Sequence, residues 1–192
     1  MKLFTKNRAK LLSLFFTNPD KSFYMQEIGR ILNKNPGVFQ RTLNNMTSEG
    51  ILVSEYRANS RYFTVNKNNP IYKELKSIIF KTIGISGSIK QALEELKNLK
   101  LAFIYGSYAK NQENYLSDID IIIIGNPDEE ILINKLDSLE KKLQREINYK
   151  IYSYNNLEKE ITEKEPFIIN ILEDRKIMLV GSENEIPKIS KR

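Results

Sequence analysis

Ile119 to Ile124 is apolar except for Asp120, and its last four residues are all isoleucine. A β-branched run of this kind reads as a buried strand, which in turn requires a sheet and elements to cover it. Ser117-Asp118-Ile119-Asp120 opens the run. Side chains alternate along a strand, so Asp118 and Asp120 project from one face at its mouth. Two carboxylates held that close repel unless a cation or a proton lies between them.

Composition narrows what the pair can do. The chain has 192 residues and contains neither His nor Cys. That excludes a Ser–His–Asp or Cys–His nucleophile, a His/Cys zinc site, disulfides and thiol redox chemistry. Acid–base and metal work falls to carboxylates, whose oxygens suit Mg²⁺ or Mn²⁺. With 41% hydrophobic and 28% charged residues, the chain can bury a core.

A second apolar strand precedes the first. Leu101-Ala102-Phe103-Ile104-Tyr105 runs into Gly106-Ser107-Tyr108-Ala109-Lys110 and then a polar loop. Gly106 permits close backbone approach, and Ser107 opens a helical turn whose N–H groups suit a phosphate. A phosphate cradle beside a metal clamp points to nucleoside triphosphate chemistry.

These residues resemble the DNA polymerase β-like nucleotidyltransferase superfamily, specifically its minimal nucleotidyltransferases. Gly106-Ser107, Ala109-Lys110 and Ser117–Asp120 carry the resemblance, which spans about residues 85–182. Asn111 stands where the family usually has Gly, and Asn tolerates left-handed backbone. The resemblance implies that Asp118 and Asp120 hold Mg²⁺ (or Mn²⁺) and act in catalysis. It implies that Gly106, Ser107, Lys110 and Ser117 bind the nucleotide, with ATP the expected NTP. The reaction implied is transfer of a nucleoside monophosphate to a hydroxyl, with a protein among the possible acceptors. Family members normally add a third carboxylate from a later strand. Here Asn148 aligns with that position, and Glu146, two residues earlier on the same face, is the expected partial substitute.

The remaining elements fit a small α/β (α+β) unit with a mixed sheet over residues 100–182. Glu129–Leu143 reads as an amphipathic helix, Ile147–Tyr154 as a strand and Leu157–Glu165 as a polar helix. Pro166 opens another helix through Leu172, Lys176–Gly181 is a last strand, and 183–192 is a loose polar tail.

The front of the chain differs in charge. Residues 1–69 carry 11 Lys+Arg against 4 Asp+Glu, whereas residues 100–192 carry 14 against 17. Leu3–Phe16 and Ser22–Asn33 read as helices. Asn35 caps a third at Pro36, with Phe39, Leu43 and Met46 inward and Gly50 as its stop. Two β-prone runs, Ile51–Tyr56 and Tyr62–Val65, flank a basic tip at Arg57–Arg61. This order resembles a winged helix-turn-helix DNA-binding domain over residues 1–67. The resemblance implies duplex DNA as partner, read by Lys34, Gln40, Arg41 and Asn44, with Arg57 and Arg61 on phosphate or in the minor groove. A helical connector follows at 68–99, with helices at Ile71–Ile83 and Ile89–Leu99 broken by Gly84–Gly87. Its amphipathic faces suggest a homodimer.

No apolar run approaches the ~18 residues of a membrane span. The charged start Lys2–Phe16 reads as a helix of the mature protein, and the expected location is the cytoplasm. Two readings remain open: a transferase fused to a DNA-binding domain, or a transcriptional regulator whose transferase-like domain binds nucleotide or a partner protein without turnover.

Overall fold

The computed structural model describes residues 4–113 and 117–186. The chain divides into two compact units, Met1–Gly87 with Lys141–Gln144, and Ser88–Glu140 with Arg145–Arg192. Leu3, the expected start of the first helix, lies outside the described residues, as do 187–192 of the polar tail.

The first unit opens with α1 (Lys6–Thr17), whose Leu11, Leu12, Phe15 and Phe16 are buried. The second expected helix is shorter than its apolar spacing predicts. Phe23–Tyr24 forms strand β1 instead, and α2 spans Met25–Ile31. Pairing outweighs helix propensity there: Phe23 and Tyr24 sit opposite Phe63 and Tyr62, and the Phe23 ring meets Phe15 edge-on at 5.6 Å. Asn35 acts as the expected cap, its side chain accepting from Gly37 N–H at 2.9 Å. It opens a 3₁₀ turn, Pro36–Phe39, that leads into α3 (Gln40–Ser48). Phe39, Leu43 and Met46 are fully buried.

Strands β2 (Leu52–Arg57) and β3 (Ser60–Val65) then form an antiparallel hairpin, giving the sheet order β1-β3-β2. Pairing continues to Arg57 opposite Ser60, so the turn is Ala58-Asn59 alone, with Ala58 at φ 49°. Helix α4 covers Tyr72–Thr82. Helix α5 begins at Ile85 and ends at Glu94, so the expected break at Gly84–Gly87 is confined to its first part. The helix keeps a glycine at position 87 because the Thr82 carbonyl approaches its backbone; a Cβ there would stand 2.0 Å from that oxygen.

The second unit holds a four-stranded mixed sheet, ordered β6-β5-β4-β7. Its strands are β4 (Leu99–Tyr105), β5 (Ile119–Gly125), β6 (Ile147–Tyr152) and β7 (Ile177–Val180). Strand β4 is antiparallel to β5 and β7, whereas β5 and β6 are parallel. Leu99, expected to end a helix, instead begins β4. The one-turn helix α6 (Gly106–Ala109) follows β4, and α7 (Glu129–Leu143) has its predicted bounds. Ser153 caps α8 (Tyr154–Thr162), three residues before the expected start, and Pro166 opens α9 (Pro166–Glu173).

All five isoleucines of β5 from Ile119 to Ile124 have no exposed surface. One core gathers Phe103, Ile122 and Ile124 with Leu157, Ile161, Ile168 and Ile171 of α8 and α9. Burial on both sides of β5 explains why its apolar run does not alternate. The one place where charge enters the strand is its mouth.

Candidate functional site

The end of β4 and the start of β5 lie side by side, with Tyr105 opposite Asp120. The chain then turns through Gly106 at φ +70°, and a Cβ there would stand 2.7 Å from Asp120 Oδ2. Only a glycine lets the carboxylate rest against this turn. Ser107 is the second residue of α6, and its carbonyl accepts from Gln112 N–H at 2.9 Å. Asn111 takes the left-handed conformation, φ 54°, that its place in the turn predicts. Lys110 is exposed, and its ammonium pairs with Asp174 at 2.7 Å.

Asp118 and Asp120 come together with Asn148. Parallel pairing of β5 with β6 sets Asn148 directly across from Asp120, and Asn148 Nδ2 donates to Asp118 Oδ2 at 3.4 Å. Burial pushes the Asp120 carboxyl above its ordinary value; the hydrogen bond from Asn148 opposes this, and the Asp118 charge adds to it. Glu146 is exposed, and its part here is a backbone one, its carbonyl accepting from Ile119 N–H at 2.9 Å. Among the described residues, no group of three acidic side chains is placed to hold a metal. The structure thus gathers Gly106, Ser107, Asp118, Asp120 and Asn148, and leaves Glu146 outside them.

The donors are all oxygens or convertible to oxygen. The two carboxylates lie two residues apart, and the Asn148 amide would present its oxygen after a half-turn. That set fits a hard dication with room for other ligands.

Two features escaped sequence reading. Arg145, only 7% exposed, sits at the base of β6, and its guanidinium reaches the Ser117 carbonyl at 3.5 Å. Tyr108 is buried nearby, and desolvation raises its hydroxyl to about 12. Lys150, farther along β6, lies over the rings of Tyr152 and Phe167 at 4.9 and 4.7 Å. A lone arginine before a strand and a lysine within one carry no motif, which is why neither stood out.

In the first unit, Lys34, Gln40, Arg41 and Asn44 are exposed on or just before α3. The hairpin arginines have partners within the unit, Arg61 half-buried and Arg57 exposed. Arg61 donates to Asn44 Oδ1 at 2.8 Å and to Ser54 Oγ at 3.0 and 2.9 Å, and lies over the Phe63 ring at 4.9 Å. Arg57 pairs with Glu55 and lies over Tyr62 at 4.8 Å. A hollow of about 250 Å³ opens between α3 and the hairpin, lined by Gln40, Asn44, Tyr56 and Arg61 among others. Among the described residues, no helix is long and apolar enough to cross a membrane.

The family described as polymerase beta, nucleotidyltransferase matches residues 87–182, half of the chain. No curated protein matches it. Similar solved structures include a toxin–antitoxin with AMP-PNP, at 18% identity and TM-score 0.36, covering 52% of this chain and 76% of that one. The MntA–HpeT toxin–antitoxin in a mutant form aligns at 16% identity and TM-score 0.35, over 52% and 75% of the two chains. Reduced HlyU from Vibrio cholerae N16961 aligns at 16% identity and TM-score 0.31, over 39% and 70%.

Proposed function

The chain belongs to the polymerase beta nucleotidyltransferase family, and we propose that it moves a nucleoside monophosphate from an NTP, with ATP the first candidate, to an acceptor oxygen. The observation that carries this reading is the contact between the Gly106 turn and Asp120. It holds the Gly106 turn and a carboxylate pair at the same end of two adjacent strands. Gly106 and Ser107 receive the distal phosphates at the turn after β4. Lys110 would release Asp174 to meet them. Asp118 and Asp120 hold Mg²⁺, or Mn²⁺, at the mouth of β5. When bound, the dication neutralises phosphate charge and aligns the α-phosphorus for in-line attack. Arg145 braces the Ser117 carbonyl and so sets the approach of Asp118.

Calorimetric titration with Mg²⁺ and a non-hydrolysable NTP tests the site. Binding should be lost in the Asp118→Asn/Asp120→Asn double variant. Equal binding by that variant removes the two aspartates from the assignment.

A second activity is supported by α3. It buries Leu43 and Met46 and presents Gln40, Arg41, Asn44 and Asn45 outward, with no acid among them. Residues 1–69 also carry a net charge of +7. The first unit is a winged helix-turn-helix that binds duplex DNA through this face, which makes transcriptional control of its own operon the natural role. Binding to the operon promoter no tighter than to random duplex would leave that role without support.

A further inference from the structure

Resting on the transferase reading, we propose that the acceptor reaches the nucleotide across β6 and is an oxygen already ionised near neutral pH, a carboxylate or a phosphate monoester, held by Lys150.

The first argument is topological. Strand β5, with both aspartates, lies between β4 and β6. The distal phosphates belong to the turn after β4, on one side of the pair. In-line displacement requires the attacking atom opposite the leaving pyrophosphate. The acceptor therefore comes from the β6 side.

The second argument is what β6 offers there. Asn148 faces Asp120, and Lys150 lies two residues on, on the same face and about 7 Å along the strand. Its ammonium is held against the faces of Tyr152 and Phe167, and the Tyr152 hydroxyl and the Glu160 charge favour its protonated form. No ion pair engages Lys150 among the described residues. Phe167 is 45% exposed, and its ring meets Tyr105 edge-on at 6.2 Å. Tyr105 is the residue opposite Asp120. An aromatic shelf with a fixed positive charge thus runs from the carboxylate pair outward. It borders a hollow of about 490 Å³ lined by Lys150, Lys159, Glu160, Glu163, Glu165 and Phe167 among others, so Lys150 and Lys159 are its anion-binding groups and the glutamates confine an anion to their side.

The third argument is proton transfer. An alcohol must lose a proton as it attacks, and the side chain facing Asp120 is an amide, which accepts none near neutral pH. The chain has no histidine, and Glu146 stays outside the group. An oxyanion needs no base. Its lone pair forms the new O–P bond at the α-phosphorus, the bond from that phosphorus to the bridging oxygen breaks, and pyrophosphate leaves with the electron pair. The product is a mixed anhydride from a carboxylate or a diphosphate from a phosphate ester.

Benzoate, phenyl phosphate and benzyl alcohol are the probes, each titrated into the full chain saturated with Mg²⁺ and a non-hydrolysable NTP. One or both anions should bind, and Lys150→Met should weaken that binding roughly tenfold, the scale of one hydrogen bond to a charged group. Lys150→Arg should restore it, and the nucleotide affinity should not move. Which anion binds tells carboxylate from phosphate. Absence of binding by both anions, or equal binding by wild type and Lys150→Met, overturns the proposal while leaving the nucleotide site intact. If the NTP analogue itself fails to bind, the transferase reading falls and this proposal with it. With an α-labelled NTP, label passing to an anion supports the assignment, and faster transfer to benzyl alcohol overturns it.

Discussion

The backbone of Gly106 and the carboxylate of Asp120 are in contact across two strands, with room for no side chain between them. Gly106→Ala introduces a Cβ 2.7 Å from Oδ2 and a side chain at φ +70°. The left-handed backbone alone costs an alanine about 1–2 kcal/mol. The expected result is a melting temperature lower by several degrees and nucleotide affinity at least about tenfold weaker. Calorimetry on the folded variant separates the two effects. Unchanged affinity would show that the turn and the carboxylate do not act on one ligand.

On the transferase reading, Asn148 stands where a base would act. Asn148→Asp restores a carboxylate opposite Asp120, and transfer to an alcohol acceptor should rise by about 10²–10⁴-fold. Transfer to a phosphate monoester should not gain, because the new charge repels it. Glu146→Gln should change neither rate by more than about twofold, since its exposed side chain lies apart from the pair. Single-turnover assays with labelled NTP measure all three. A large loss in Glu146→Gln would mean that the side chain swings into the site on binding.

Arg41 and Arg61 should separate DNA recognition from framework. Arg41 is exposed on α3, so Arg41→Ala should relax sequence preference without lowering the melting temperature. Arg61 joins α3 to the hairpin through Asn44 and Ser54. Arg61→Ala should therefore lower the melting temperature as well as the affinity. Each lost phosphate contact reduces the slope of log affinity against log salt by about 0.9. Fluorescence anisotropy across a salt series, paired with thermal melts, checks both. If Arg61→Ala changes the slope and leaves the melt alone, Arg61 leaves its internal partners when DNA binds.

What was legible in the sequence is what depends on neighbours along the chain. Asp118 and Asp120 share a face because strand side chains alternate. Asn111 adopts left-handed backbone because asparagine tolerates it. The Asn35 cap and the start of α9 at Pro166 follow from local geometry. What stayed hidden depends on contacts that only folding creates. Lys110 was expected to face phosphate, but it meets Asp174, 64 positions on. Arg61 was expected at a free tip, but it finds Asn44 and Ser54. Phe23 and Tyr24 continue an apolar helical pattern, yet their partners are Phe63 and Tyr62. Lys150 gains significance only beside Phe167, which arrives from α9.

The hairpin turn offers a test away from either site. Ala58 holds φ 49° in a two-residue turn, a conformation asparagine and glycine accept more readily. Ala58→Asn should raise stability by about 1 kcal/mol, read as a higher midpoint in urea at unchanged slope. A lower midpoint would mean that the methyl group makes a contact worth more than the backbone relief.

Strand β5 combines hydrogen bonding on both edges with complete burial of its isoleucines. Its amide protons should therefore exchange with solvent only when the unit unfolds as a whole. Asp120 lies within this slow-opening strand and Asp118 immediately before it. Thermal breathing that loosens the helices around them would leave the spacing of the carboxylates intact. A ligand arriving at this site would meet an Asp120 whose position the sheet has already set, and no ordering of that residue has to accompany binding.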